Sequence, residues 1–154
     1  MSEQVDRNIG RSRHLGRAER EEFLARPHVA ILSIAGDDGR PPSTLPSWYD
    51  YRSGGNIAVV TRKGKRKSRL IARAGVVSLS VQQPRRPYRY VTVEGTVVEQ
   101  RRPTADELAG IGRRYLPAES VDGWAAWELS GGNAAGEPEY IEIRPDRWLT
   151  RDFS

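Results

Sequence analysis

The chain has 154 residues and a formal charge of +5, with 25 Lys and Arg against 20 Asp and Glu, and it contains no cysteine. Disulfides and thiolate metal sites are therefore excluded. With His14 and His28 the only imidazoles, a histidine-based metal centre or a Ser-His-Asp triad is poorly supplied.

The length suits one domain that buries roughly 70% of its surface. No apolar stretch nears the ~20 residues a membrane span needs, and the N-terminus lacks the apolar core of a secretory signal. A cytoplasmic protein without a membrane partner is expected. Its charge favours anionic partners in general.

Residues 1–17, with "RNIGRSRHLGR", read as a flexible basic tail ahead of a single domain at 18–154. "AEREEFLA" (18–25) predicts a short helix, stopped by Arg26-Pro27. "HVAILSIA" (28–35) predicts a strand buried on both faces, and Asp37, Asp38 and Gly39 supply hairpin turn chemistry. The return strand spans 42–51, where Pro46 demands an edge or a bulge because it removes a ladder donor. A strand follows at 56–61, then a helix from Ser68 to Ala74 that ends at Gly75. Strands are expected at 76–81, with Val77, Leu79 and Val81 on one face, and at 88–99, with a bulge at Gly95. Pro103 to Tyr115 reads as helix and 116–137 as irregular or weakly helical. One or two closing strands occupy 139–153. Six or so strands in hairpins with few helices predict a mainly β fold, a small antiparallel barrel.

"TRKGKRKSRL" (61–70) holds all three lysines, and six of the eight positions from Arg62 to Arg69 are basic. On a helix, Arg66, Arg69 and Arg73 share one polar stripe, which reads as solvated, opposite Leu70, Ile71 and Ala74. Lys67 falls in the apolar stripe, where an ammonium must meet an anion or snorkel outward. A strand ending at Thr61, a glycine at 64 and a helix starting near Lys65 make an anion site. There the free helix N–H groups and the macrodipole add to the lysine charge. Thr61 and Ser68 offer hydroxyls to it.

"AVVTRKGKRKSRLIARAGVVSLSV" (58–81) with "PYRYVTVEGTV" (87–97) resembles the pyridoxamine 5′-phosphate oxidase-like split β-barrels, the flavin- and deazaflavin-dependent oxidoreductases. The likeness runs from near Phe23 to "YIEIRPDRW" and is most specific at Thr61, Arg66 and Lys67. It implies a six-stranded antiparallel split β-barrel that forms a homodimer, with cofactor clefts between the subunits. It further implies that Arg66 and Lys67 hold the phosphate of FMN or of coenzyme F420, beside Thr61, with Lys63 and Lys65 as additions. By the same resemblance Ser47 and Trp48 lie against the cofactor ring, Tyr90 faces it from the neighbouring strand, and Trp148 walls the pocket of a small-molecule substrate. Lys65 stands where the family usually has Ser, and Leu70 where it often has Asn. "RDFS" lacks the C-terminal context of the true pyridoxamine phosphate oxidases. "PYRYV" and the lysine-rich loop, suited to a polyanionic tail, favour F420 over FMN.

Redox chemistry would then rest on the cofactor, and no side chain is nominated as catalytic. Bland readings stand beside these. Trp48 reads equally as barrel core, and Tyr88 and Tyr90 as packing. Trp124 and Trp127 read as packing residues, His28 as a hydrogen-bonded structural histidine, and Glu137 and Glu139 as loop solvation. The rivals are a cofactor carrier without redox activity and a nucleic-acid-binding barrel combining "RRPYRY" with "TRKGKRK". Interspersed acids make nucleic acid the weaker partner.

Overall fold

A computed structural model of the protein describes residues 11–131 and 133–154. Helix α1 (Arg17–Ala25) starts at Gly16, whose N–H donates to Glu19 Oε1 at 3.2 Å, and buries Phe23 and Leu24. Strands β1 (Ala30–Ile34) and β2 (Ser43–Ser47) form the expected hairpin, in register from Ala30–Ser47 to Ile34–Ser43. Asp38 and Gly39 in its turn both take positive φ, 50° and 73°, as the Asp-Gly pair requires. β1 is not buried on both faces: Val29 and Ile31 are exposed while Ala30, Leu32 and Ile34 are buried. The apolar run is thus a core face with an uncovered apolar back.

The strand expected at 42–51 breaks at Trp48 into β2 and β3 (Tyr49–Tyr51). With β4 (Ile57–Arg62), β5 (Val76–Gln82), β6 (Arg89–Arg101) and β7 (Pro138–Asp152), the sheet has seven strands, where six were expected, in the order β2-β1-β5-β6-β7-β4-β3. β2 and β3 are one residue apart in the chain and at opposite ends of that order. The sheet must therefore curl until its edges meet, which makes it a split barrel. Pro46 lies on an edge strand, where its missing N–H costs no ladder bond.

β6 and β7 pair along most of their length, with register shifts between Glu94 and Gly95 and between Val97 and Glu99. Gly95 sits where a Cβ would come 2.4 Å from Ile143 Cγ2 and 2.7 Å from the Arg144 carbonyl oxygen. The barrel interior holds Leu32, Ile34, Val59, Leu79, Val93 and Ile141 among others. Helix α2 (Arg66–Ala74) plugs one end with Leu70 and Ile71 and stops at Gly75, at φ 70°.

The segment expected to be irregular contains a 3-10 turn (Ala118–Ser120) and helix α4 (Val121–Leu129), which follows α3 (Ala105–Tyr115). α3 is capped by Thr104, whose Oγ1 accepts from the Glu107 N–H while its own N–H donates to Glu107 Oε1.

Of the tail expected through residue 17, residues 1–10 lie outside the described residues. From Arg13 the chain is tied to the last strand. Arg13 exchanges backbone hydrogen bonds with Asp152 at 3.0 and 2.8 Å, and its guanidinium bonds the Asp152 carboxylate at 2.8 Å.

Candidate functional site

β4 alternates between the two faces of the barrel wall. Ile57 and Val59 point into the core, and Thr61 continues that row opposite Glu139 of β7. Beneath the start of α2, Ser68 Oγ donates to Glu139 Oε1 at 2.6 Å. Gln100 Nε2 donates to the Ser68 carbonyl at 2.9 Å and to Glu139 Oε1 at 3.0 Å. Glu139 is 8% exposed, so the reading of it as loop solvation is wrong, though Glu137 is indeed exposed. Ser68 is committed to Glu139 and is not the free hydroxyl expected. Thr61 Oγ1 is buried and has no hydrogen-bond partner among the described residues, a state that costs about 1–3 kcal/mol unless a ligand or water relieves it.

Above this buried polar layer the chain turns at Gly64, at φ 73°, and enters α2 from Lys65, which caps it with backbone alone. Arg66 donates to Asp37 Oδ1 at 2.9 Å, and Arg73 stands 3.8 Å from the same carboxylate. The hydrogen bond from Arg66 holds the Asp37 carboxyl below its ordinary range. The arginine stripe expected to be merely solvated is thus partly tethered to the β1–β2 turn, and Arg69 donates to the Gly64 carbonyl at 3.0 Å. Lys67 is half-buried. The ammonium groups of Lys63, Lys65 and Lys67 make no hydrogen bond or ion pair among the described residues. Three lysines, a helix start without a side-chain cap and a buried hydroxyl thus follow one another along the stretch from Thr61 to Lys67.

On the outer face of β4, Val60 and Arg62 open into a cleft of about 420 Å³, shared with Ser47 and Trp48 at the parting of β2 and β3 and with Trp124 and Glu128 of α4. Trp48 stacks on Tyr115 at 4.8 Å and 5° and leans on Trp124 at 5.7 Å. It is cleft wall and packing residue at once. Tyr115 in turn donates its hydroxyl to the His28 carbonyl at 2.7 Å.

The cleft floor is a bidentate pair that sequence reasoning missed. Arg62 donates to Glu128 at 2.5 and 2.9 Å, and Asn133 adds a bond to Glu128 at 3.3 Å. The only hint was an acid inside the apolar run "WAAWELS".

Tyr90 and Trp148 are elsewhere in the chain, in a hollow of about 380 Å³ with His14, Arg20 and Arg151. Arg20 lies 4.3 Å over the Trp148 ring, which meets Tyr51 edge-on at 6.0 Å. Of the remaining aromatics, Trp124 packs, whereas Trp127 and Tyr88 are half exposed. His28 stacks on Phe23 at 4.5 Å, but its Nε2 is buried without a partner among the described residues. Stacking holds it there. Burial first, then Arg26 and Arg114, depress its pKa.

Residues 17–152 match the family model described as pyridoxamine 5′-phosphate oxidase. No curated protein matches the chain. Among solved structures, an F420 reductase is 25% identical over 84% of this chain and 94% of its own, with a TM-score of 0.62. A conserved hypothetical protein from Mycobacterium tuberculosis is 18% identical over 90% and 86%, with a TM-score of 0.71. A FAD-binding protein from Mesorhizobium loti is 19% identical over 93% and 99%, with a TM-score of 0.64. With the curled sheet, its parted edge strands and the match from α1 to the end of β7, the chain belongs to the pyridoxamine 5′-phosphate oxidase family of split β-barrels.

Proposed function

We propose that the protein is an oxidoreductase that binds a phosphate-bearing flavin-type cofactor, coenzyme F420 ahead of FMN, and exchanges hydride between it and a small organic substrate. The observation that carries this reading is the set of free ammonium groups on Lys63, Lys65 and Lys67 around the α2 N-terminus, beside the unpartnered Thr61 hydroxyl. Those groups fit a phosphate: Lys67 and Arg66 contribute charge, the helix start contributes N–H donors, and Thr61 lends a further hydroxyl. Likeness to an F420 reductase supports F420 as the first candidate. The cleft at Ser47 and Trp48 suits the ring, with Trp48 held flat by Tyr115.

When bound, such a cofactor supplies the hydride chemistry, and this chain's own residues bind, orient and exclude water. Two copies would form the functional unit, since Tyr90 and Trp148 line a separate hollow within one chain and would serve a cleft only across a subunit boundary. A cytoplasmic location accords with a freely diffusing substrate.

Titration of the purified protein with F420 and with FMN, followed by cofactor fluorescence, tests the reading. F420 should saturate first. Lys67→Ala should weaken binding by about 1.5–3 kcal/mol through loss of a charge-assisted bond. No signal with either cofactor would sink the proposal, and equal affinity in the variant would remove Lys67 from the site.

A further inference from the structure

Arg62 forms the floor of the cleft beside Trp48, and its guanidinium is held on two of its edges. It reaches from the outer face of β4 to α4, where Trp124 and Glu128, four residues apart, share one helix face. Nη1 and Nη2 donate to the two Glu128 oxygens at 2.5 and 2.9 Å, and Nη1 donates again to the Gly136 carbonyl at 3.3 Å. Glu128 is fixed in turn by Asn133 Nδ2 at 3.3 Å, and its side chain is only 4% exposed.

A guanidinium carries five N–H donors in a rigid plane. Glu128 takes the end and Gly136 the edge beside Cδ, which leaves Nε–H and the second Nη2–H as a parallel fork. Those two donors meet no acceptor among the described residues. The Arg62 side chain lines the cleft and is 28% exposed, so the vacant edge is the one a ligand there can reach. Glu128 and Gly136 hold the plane in place, and a ligand does not have to order it.

Charge narrows the choice of ligand. Among the described residues that line the cleft, only Arg62 and Glu128 carry charge, between Val29, Val60, Ile111 and the rings of Trp48 and Trp124. The pair is neutral as a unit. An anion on the fork would leave an unbalanced charge against apolar walls, which is costly. An uncharged planar edge with two adjacent acceptors satisfies both donors without that cost. We propose that Arg62 reads such an edge, a ring nitrogen acceptor next to a carbonyl, and so determines which rings the cleft admits, with Glu128 as its positioning residue. This role rests on the cofactor assignment and deepens it, because the oxidised ring of flavins and deazaflavins carries that edge at N1 and C2=O.

Titration of the full chain with FMN, with 1-deaza-FMN, in which a C–H replaces the N1 acceptor, and with F420 tests this, followed by quenching of tryptophan fluorescence. The 1-deaza analogue should bind about tenfold or more weakly than FMN. Arg62→Lys keeps a cation opposite Glu128 but has no fork. It should weaken FMN and F420 by about tenfold and bind FMN and its 1-deaza analogue within about twofold of each other. Circular dichroism melts report the fold of the variant, and should it fail to fold, the two FMN rings compared in the unaltered protein decide the matter. Equal binding of those rings, discrimination retained in Arg62→Lys, or F420 affinity unchanged in that variant would overturn the role of Arg62 while leaving the cofactor assignment standing. Absence of binding by all three ligands would overturn both.

Discussion

Asp152 and His28 show how burial acts on single groups in opposite protonation senses. Burial alone would raise the Asp152 carboxyl, yet the Ser154 N–H and the Arg89 guanidinium outweigh it and hold it below its ordinary 3.8. Its contribution to stability is complete above that ordinary value and decays as pH falls through the lower folded value. His28 is also depressed below its ordinary 6.5. The unfolded chain therefore takes up a proton that the folded one refuses, and stability is lost as pH falls from about 6.5. Melting temperature should drop between about pH 7.5 and pH 5.5, and His28→Phe, which keeps a ring against Phe23, should flatten that slope. At this scale the half-buried position of Lys67 was legible from helical periodicity alone. Ser68 and Glu139 were not, because their bond joins positions 71 residues apart, and no local pattern encodes which strand will pass beneath a helix.

Helix α4 is the element whose docking most depends on one contact. Its acid, Glu128, has a side chain only 4% exposed, and Arg62 of β4 is the cation that meets it. Arg62→Ala strands that charge and should destabilise the protein by about 3–5 kcal/mol in denaturant melts. The double replacement Arg62→Met with Glu128→Leu should cost far less, because no charge is left buried. Elements with strong local signals were readable in the sequence: α1 before Arg26-Pro27, α2 before Gly75, and β5 with Val77, Leu79 and Val81 all buried. α4 was not, since "DGWAAWELSGG" has no one-sided apolar stripe and owes its place to a tertiary ion pair. Trp48 shows the opposite case, where a single strand was expected and a change of sheet edge divides it.

For the whole molecule, the barrel was legible from consecutive hairpins, while its seventh strand arises only from closure. α3 and α4 cover the outer face of β3, β4 and β7, whereas Ile31 of β1 and Val76 of β5 remain 40% and 56% exposed. A second copy seated on that uncovered apolar side is the arrangement expected of the functional unit. Light scattering coupled to gel filtration should give twice the chain mass of 17.3 kDa, and a monomer at working concentration would leave Tyr90 and Trp148 without a cleft to serve.

The parting of β2 from β3 has a consequence for connectivity. Every other meeting of strands in this barrel is held by a ladder of hydrogen bonds, but these two edges are joined through the main chain at Trp48. One residue acts as a covalent staple across the seam and keeps the local concentration of one edge at the other high. Opened at that residue by permutation, the same strands would have to find closure through side chains alone, and the cleft at the seam would lose the backbone link at Trp48, one of its lining residues.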